Sequence, residues 1–346
     1  MNATPAQKRL PMLPHENPHL DRRLGELLKT MHQQAQAAPP QPPMDFSTMP
    51  YEQLAAVMTS MEPMMRRQVE GSLGTLPADA APPEHLEIDG IDGNRVPIDV
   101  YTPAARGSGP SLCIVYLHGG GMAFASPVEY RAFLRRLSDL GAVVVAPYFR
   151  NSPQARFPAG VHDCLSAVLW ARDNLARLGA DRVALAGESG GGLLALTVPL
   201  IAVRRGLDPA ALLTGVWADA PVCFGPPQKG ETPQPSHIDN EGYLFGQAMR
   251  TLLCRLYTDD VNDSCAFPIN AELEALRKFP RTQIVVYEFD PLRDEGLAFY
   301  RKMLAAGHPD VDCMQMQGLI HAAMLMQPLK PEFTQRQLAR LIAFLS

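Results

Sequence analysis

No apolar run in this 346-residue chain reaches the roughly 18 residues that a membrane span needs. The longest, near Leu193–Val203, is interrupted by Thr197 and Pro199. Long runs of one charge sign are also missing. With 31 basic against 36 acidic residues and a net charge of −5, the chain has neither the footprint of a nucleic-acid binder nor a polybasic membrane patch. Cysteine is sparse: Cys113, Cys164, Cys223, Cys254, Cys265 and Cys313 show no C-x-x-C spacing and mostly sit in apolar runs such as SLCIVYL. That pattern argues against a zinc site or a disulfide framework and fits buried thiols in a reducing compartment. An Asp-rich turn near residues 89–94 lacks the glutamate that would close a calcium loop, so no metal is expected. The start, MNATPAQKRLPMLPHENPHL, has no apolar stretch of a secretory kind. A cytoplasmic protein is the expectation.

What is present is ordinary globular material, 46% hydrophobic and 19% charged, enough for one large domain or two small ones. Residues 1–83 stand apart, holding 13 of the 33 prolines and 9 of the 16 methionines but only 3 of the 26 glycines. They read as short helices over about 20–35 and 51–70, joined by a Pro-rich hinge, AAPPQPPMDF. Two readings stand open: a loose arm, or a lid whose unbranched thioethers repack around varied apolar ligands. From Leu86 onward the pattern changes. LEIDGIDGNRVPIDVYTP alternates on both sides of Asp92-Gly93, a hairpin signal. Strands are then predicted over Leu112–Leu117, Ala142–Pro147, Arg182–Ala186, Gly215–Ala220, Thr282–Phe289 and Asp310–Met316. Helices are predicted over Val128–Leu140, Val161–Leu178, Gly191–Arg204, Glu241–Tyr257, Asp294–Ala306 and Pro331–Leu345. Such alternation implies a mostly parallel sheet with helices on both faces. Residues 224–270 break the rhythm and read as an insertion that folds over the sheet with the N-terminal segment. The expected organisation is a helical cap segment at 1–85 and a catalytic domain at 86–346 with a second cap insertion at about 224–270.

Chemistry enters at Gly187-Glu188-Ser189-Gly190-Gly191. A strand, RVALA, precedes this G-x-S-x-G and a helical run follows it, the setting of a nucleophile elbow. His118-Gly119-Gly120-Gly121 also follows a strand. Backbone N–H groups there can hold the oxyanion of acyl transfer, each worth about 3 kcal/mol or more in the transition state. The expected donors are Gly119, Gly120 and Gly190, with Gly121 and His118 as supporting loop residues. His118 precedes the nucleophile and so falls outside the order Ser…Asp/Glu…His of this elbow. Asp290 closes the strand TQIVVYEFD and is favoured as the acid over Glu288 and Asp294. His321 in QGLIHAAM, just after the last strand, is the base candidate. His162 and His308 fit a helix start and a turn, and the other histidines lie in polar or Pro-rich segments.

The ordered set HGGG, FPAGVHDC, GESGGG, DPLRDEG and GLIH resembles the bacterial hormone-sensitive-lipase family of α/β-hydrolases, closest to its brefeldin A esterase-like branch. The resemblance runs from about Leu86 to the C-terminus. It implies the α/β-hydrolase fold with a helical cap, hydrolysis of a small-molecule carboxylic ester without a cofactor, and often dimers. Carried over by position, Ser189 is the nucleophile, Asp290 the acid, His321 the base, and the HGGG glycines the oxyanion loop. Two departures stand out: Glu188 and Gly190 occupy positions where many relatives have Asp and Ala, and YFRNSPQARFP replaces the usual DYRLAPE-type segment. The expected activity is hydrolysis of short- to medium-chain esters through an acyl-enzyme. A non-catalytic binding protein on the same fold, or cleavage of an amide or carbonate, are the alternatives.

Overall fold

Short, fully buried strands of Val, Ile, Leu and Ala need apolar cover on both faces, and the structure supplies it with helices. It is a computed structural model that describes residues 12–37, 44–104, 111–227 and 231–346. Residues 38–43 of the predicted Pro-rich hinge lie outside the described residues. The chain opens with α1 (Arg22–Ala37) and α2 (Tyr51–Leu73), then the hairpin β1 (Glu84–Asp89) and β2 (Arg95–Tyr101). Next come β3 (Leu112–Leu117), α3 (Pro127–Asp139), β4 (Val143–Pro147), α4 (Ala159–Asp173), α5 (Leu175–Leu178) and β5 (Arg182–Glu188). They are followed by α6 (Gly190–Arg204), α7 (Pro209–Leu212), β6 (Val216–Asp219), α8 (Pro235–Asp239), α9 (Gln247–Tyr257) and α10 (Leu273–Arg277). β7 (Thr282–Phe289), α11 (Arg293–Ala305), β8 (Val311–Ile320) and α12 (Pro331–Leu345) complete the chain.

The eight strands form one sheet in the order β1-β2-β4-β3-β5-β6-β7-β8, parallel from β4 to β8, with β1 and β2 antiparallel. Alternation along each strand sorts the core into two. Cys113, Val115 and Leu117 of β3 face the cluster formed with α4, α6 and α11, while Ile114 and Tyr116 face the cluster that includes α3 and α12. The second cluster also takes in Leu24 and Leu28 of α1, Leu54 and Met58 of α2, and Leu252 and Leu256 of α9. Met31, Met49, Met61 and Met65 pack against it, so several methionines of the N-terminal segment serve as core.

Polar ties fix that segment to the rest of the chain. Asp21 pairs with Lys330 and takes no part in α1, while its N–H donates to the Gly318 carbonyl at 2.8 Å. Arg66 of α2 meets Glu129 at 2.6 Å, and Glu129 itself closes the capping box of α3 with Ser126. Arg255 of α9 reaches the carbonyls of Phe46 and Met49 at 2.6 and 2.8 Å.

Most predicted elements appear within a few residues, with two informative differences. Residues 241–246, predicted as the start of a helix, form a turn. Glu241 bends back so that its Oε2 accepts the Gln247 N–H at 2.9 Å, and α9 begins only there. β8 runs on to Ile320, past its predicted end at Met316.

Candidate active site

The strand order reverses direction at β3 and β5: β4 lies on one side of β3 and β5 on the other. Loops leaving such neighbours diverge and open a crevice at the carboxyl edge of the sheet. Leu117 and Gly187 are paired in register, so the HGGG loop and the GESGG turn leave the sheet side by side.

Ser189 sits at the tip of that turn with φ 56° and ψ −118°, a conformation that costs a non-glycine residue about 1–3 kcal/mol. Its N–H donates to the Asp219 carbonyl at 2.8 Å, which anchors the turn to β6. Close approach explains the flanking glycine at 191: a Cβ there would fall 2.0 Å from the Leu117 carbonyl oxygen. Asp290 is fully buried one residue beyond β7, and its Oδ1 accepts the Leu292 N–H at 2.8 Å. His321 follows β8 directly. Its Nδ1 lies 2.9 Å from Asp290 Oδ2 and its Nε2 2.9 Å from Ser189 Oγ. The sequence's favoured trio is thus brought together. The rival carboxylates point elsewhere: Glu288 accepts the Gly318 N–H at 2.6 Å, and Asp294 accepts the Ser236 N–H at 2.9 Å. His162, read as a helix start, has its Nδ1 2.8 Å from Asp92 Oδ1, and His308, read as a turn residue, has its Nε2 3.0 Å from the Phe279 carbonyl.

The glycine loop requires a correction. Gly119, expected to donate toward substrate, gives its N–H to Glu188 Oε1 at 2.5 Å. Glu188 also accepts from Tyr130 Oη at 2.6 Å and Tyr116 Oη at 2.7 Å, so three donors surround one buried carboxyl. Burial nevertheless pushes its pKa up to about 7. The amides of Gly120, Gly121 and Gly190 have no acceptor among the described residues. Gly121 (φ +59°) lies under α9, where a Cβ would meet Leu253 Cδ1 at 2.5 Å. Gly190 lies against the same loop: a Cβ there would fall 2.8 Å from the Gly121 nitrogen. His118 is buried, stacks on Phe149 at 4.2 Å, and its Nδ1 lies 2.7 Å from the Gly119 carbonyl. Burial lowers its pKa to about 4, so it is a neutral loop support.

Sequence reasoning missed the two tyrosines, which come from β3 and α3 and carry no motif. It also missed Asp219, whose carboxyl lies 3.0 Å from Tyr287 Oη through both oxygens. Burial, with the Glu188 and Asp290 carboxyls nearby, pushes Asp219 well above the usual range. No cluster of His, Cys, Asp and Glu suited to a metal occurs among the described residues.

A family model described as alpha/beta hydrolase fold matches residues 114–325. Among solved structures, a brefeldin A esterase described as a bacterial homologue of human hormone-sensitive lipase superposes with a TM-score of 0.82 at 30% identity. That match covers 96% of this chain and 94% of the other. An arylesterase of Saccharolobus solfataricus is 28% identical over 67% of this chain and 74% of its own length. A carboxylesterase NlhH of Mycobacterium tuberculosis is 29% identical over 73% of this chain and 80% of its own. The chain belongs to the α/β-hydrolase fold family, in its hormone-sensitive-lipase-like branch.

Proposed function

We propose that the protein is a serine carboxylesterase acting on short- to medium-chain esters of small molecules. One observation carries this reading: an unbroken line of hydrogen bonds from Asp290 through His321 to Ser189 Oγ, ending beside three amides without an acceptor. In the resting enzyme Ser189 donates to His321 Nε2, and the Nδ1–H donates to Asp290. His321 takes the Ser189 proton as Oγ attacks the ester carbonyl. Gly120, Gly121 and Gly190 then hold the oxyanion, and Glu188 keeps the Gly119 peptide fixed so that the next two amides face outward. The alcohol leaves with the proton from His321, and a water activated by the same imidazole cleaves the acyl-enzyme. Asp290 fixes the tautomer and offsets the imidazolium charge.

The cover formed by the N-terminal segment and the 224–270 insertion supports the limit on substrate size. Leu27, Met31, Met249 and Leu253, from both parts of that cover, are partly buried and pack against the same apolar cluster as α3 and α12. The buried free thiols support a reducing, cytoplasmic setting. Self-association rests on the resemblance alone, and light scattering of the purified protein tests it. Turnover of p-nitrophenyl acetate through decanoate tests the activity. Ser189→Ala is expected to lose at least about 10⁴-fold in kcat, and equal activity in both proteins removes Ser189 as nucleophile.

A further inference from the structure

We propose that Phe245 sets how large an alcohol group the ester can carry, favouring esters of small unbranched or flat aromatic alcohols over those of branched or saturated cyclic ones. The inference rests on the esterase reading above and names the substrate class for the same site.

Phe245 stands edge-on to the catalytic imidazole, with ring centroids 4.8 Å apart at 78°. It is half-buried and packs against the apolar cluster on the α4, α6 and α11 side of the sheet. The backbone leading to it is held in an uncommon shape: Leu244 has φ +88°, which a branched side chain adopts only when its surroundings impose it. Those surroundings can be named. Asn240 Nδ2 donates to the carbonyls of Glu288 at 3.1 Å and Asp290 at 2.9 Å. Ser236 Oγ donates to the Pro291 carbonyl at 2.7 Å. Tyr243 stacks on Phe289 at 5.1 Å and 12°, and its hydroxyl accepts from Asn17 Nδ2 at 2.7 Å. The insertion is therefore stapled to the loop that carries the acid, and the last residue of the stapled stretch is the ring over His321.

The chemistry says which part of the substrate meets that ring. The departing alkoxide takes its proton from His321 Nε2, so its oxygen must come within about 3 Å of that nitrogen. The carbonyl oxygen meanwhile faces Gly120, Gly121 and Gly190, on the side covered by Leu253. Carbons attached to the alcohol oxygen thus extend toward the imidazole and the Phe245 edge, while the acyl chain leaves by another route.

The test compares acetate esters of ethanol, 2-propanol, cyclohexanol and tert-butanol in the wild type, Phe245→Ala, Phe245→Leu and Phe245→Trp. The cyclohexyl-to-ethyl ratio of kcat/KM should rise about tenfold in the alanine and leucine proteins and fall in the tryptophan protein. The p-nitrophenyl acetate-to-octanoate ratio should stay constant throughout. Should Phe245→Ala fail to fold, the leucine and tryptophan proteins still bracket the ring. An alcohol ratio that none of the variants moves, or a change confined to the acyl ratio, overturns the proposal while leaving the esterase reading intact. A wild type that cleaves no ester overturns that reading instead. Independently of turnover, the His321 imidazole resonances should shift in Phe245→Leu, and unmoved resonances would remove the contact on which the argument stands.

Discussion

Glu188 shows what a single side chain decides beneath the nucleophile. It occupies the variable position of G-x-S-x-G, faces away from substrate, and holds the glycine loop through Gly119. Its folded-state pKa is raised from 4.5 to about 7, so the fold favours the protonated form. The contribution is therefore complete at low pH and is lost as pH rises through 7. Relative to Glu188→Gln, which cannot ionise, the wild type should lose roughly 3 kcal/mol of stability between pH 4.5 and pH 8. Urea unfolding of both proteins across that range checks it, and parallel pH curves contradict it. Gly190 offers a second test. An alanine there must displace the backbone nitrogens of Gly121 or Met122, 2.8 and 2.9 Å from the added carbon. Gly190→Ala should cut kcat by about 10- to 100-fold with little change in KM; an unchanged kcat would mean the loop has room to spare. The meeting of Ser189, Asp290 and His321 was legible from sequence because each occupies a slot at a strand's carboxyl end. The Gly119 assignment was not, because its competing acceptor is cradled by Tyr116 and Tyr130, whose convergence no spacing reveals.

Among elements, the short helix α8 and the helix α9 owe their placement to one buried ionic cluster. Glu295 of α11 is fully buried, with Oε1 at 2.7 Å from His237 Nε2 and 2.8 Å from Arg250 Nε. Its Oε2 accepts the N–H groups of Cys223 and Phe224 at 2.7 and 2.9 Å. Burial alone would raise this carboxyl, but Arg250 and His237 outweigh it and hold the pKa below the usual value. Replacing Glu295 by Gln leaves Arg250 charged in the interior and should cost about 3–5 kcal/mol in denaturant unfolding. A cost below about 1 kcal/mol would show that the cluster is not holding the insertion. The same cluster explains what the sequence concealed. α8 lies in a Pro-rich stretch with no periodicity of its own, and it is a helix because Ser236, His237 and Asn240 find partners on the acid loop and α11. By contrast α12 matched its predicted bounds, since its apolar spacing and its first proline state both periodicity and start.

For the molecule as a whole, residues 12–37 and 44–83 pack against the rest of the chain. Their apolar side chains join the cluster on the α3 and α12 side of the sheet, and Asp21 ties them to the segment that carries His321. A chain beginning at residue 84 should expose that cluster, bind a hydrophobic dye such as ANS and lose ester turnover. Undiminished activity without dye binding would identify the segment as a dispensable arm. No helix among the described residues is long and apolar enough to cross a membrane.

On the proposed mechanism Ser189 carries the acyl group between two half-reactions. Rapid acid quench of the enzyme with p-nitrophenyl butyrate, followed by peptide mass spectrometry, tests it most directly. One butyryl group is expected on the peptide containing Ser189, absent from Ser189→Ala. Turnover with the butyryl group on another residue, or with no acyl-enzyme while Ser189→Ala keeps full activity, would contradict it.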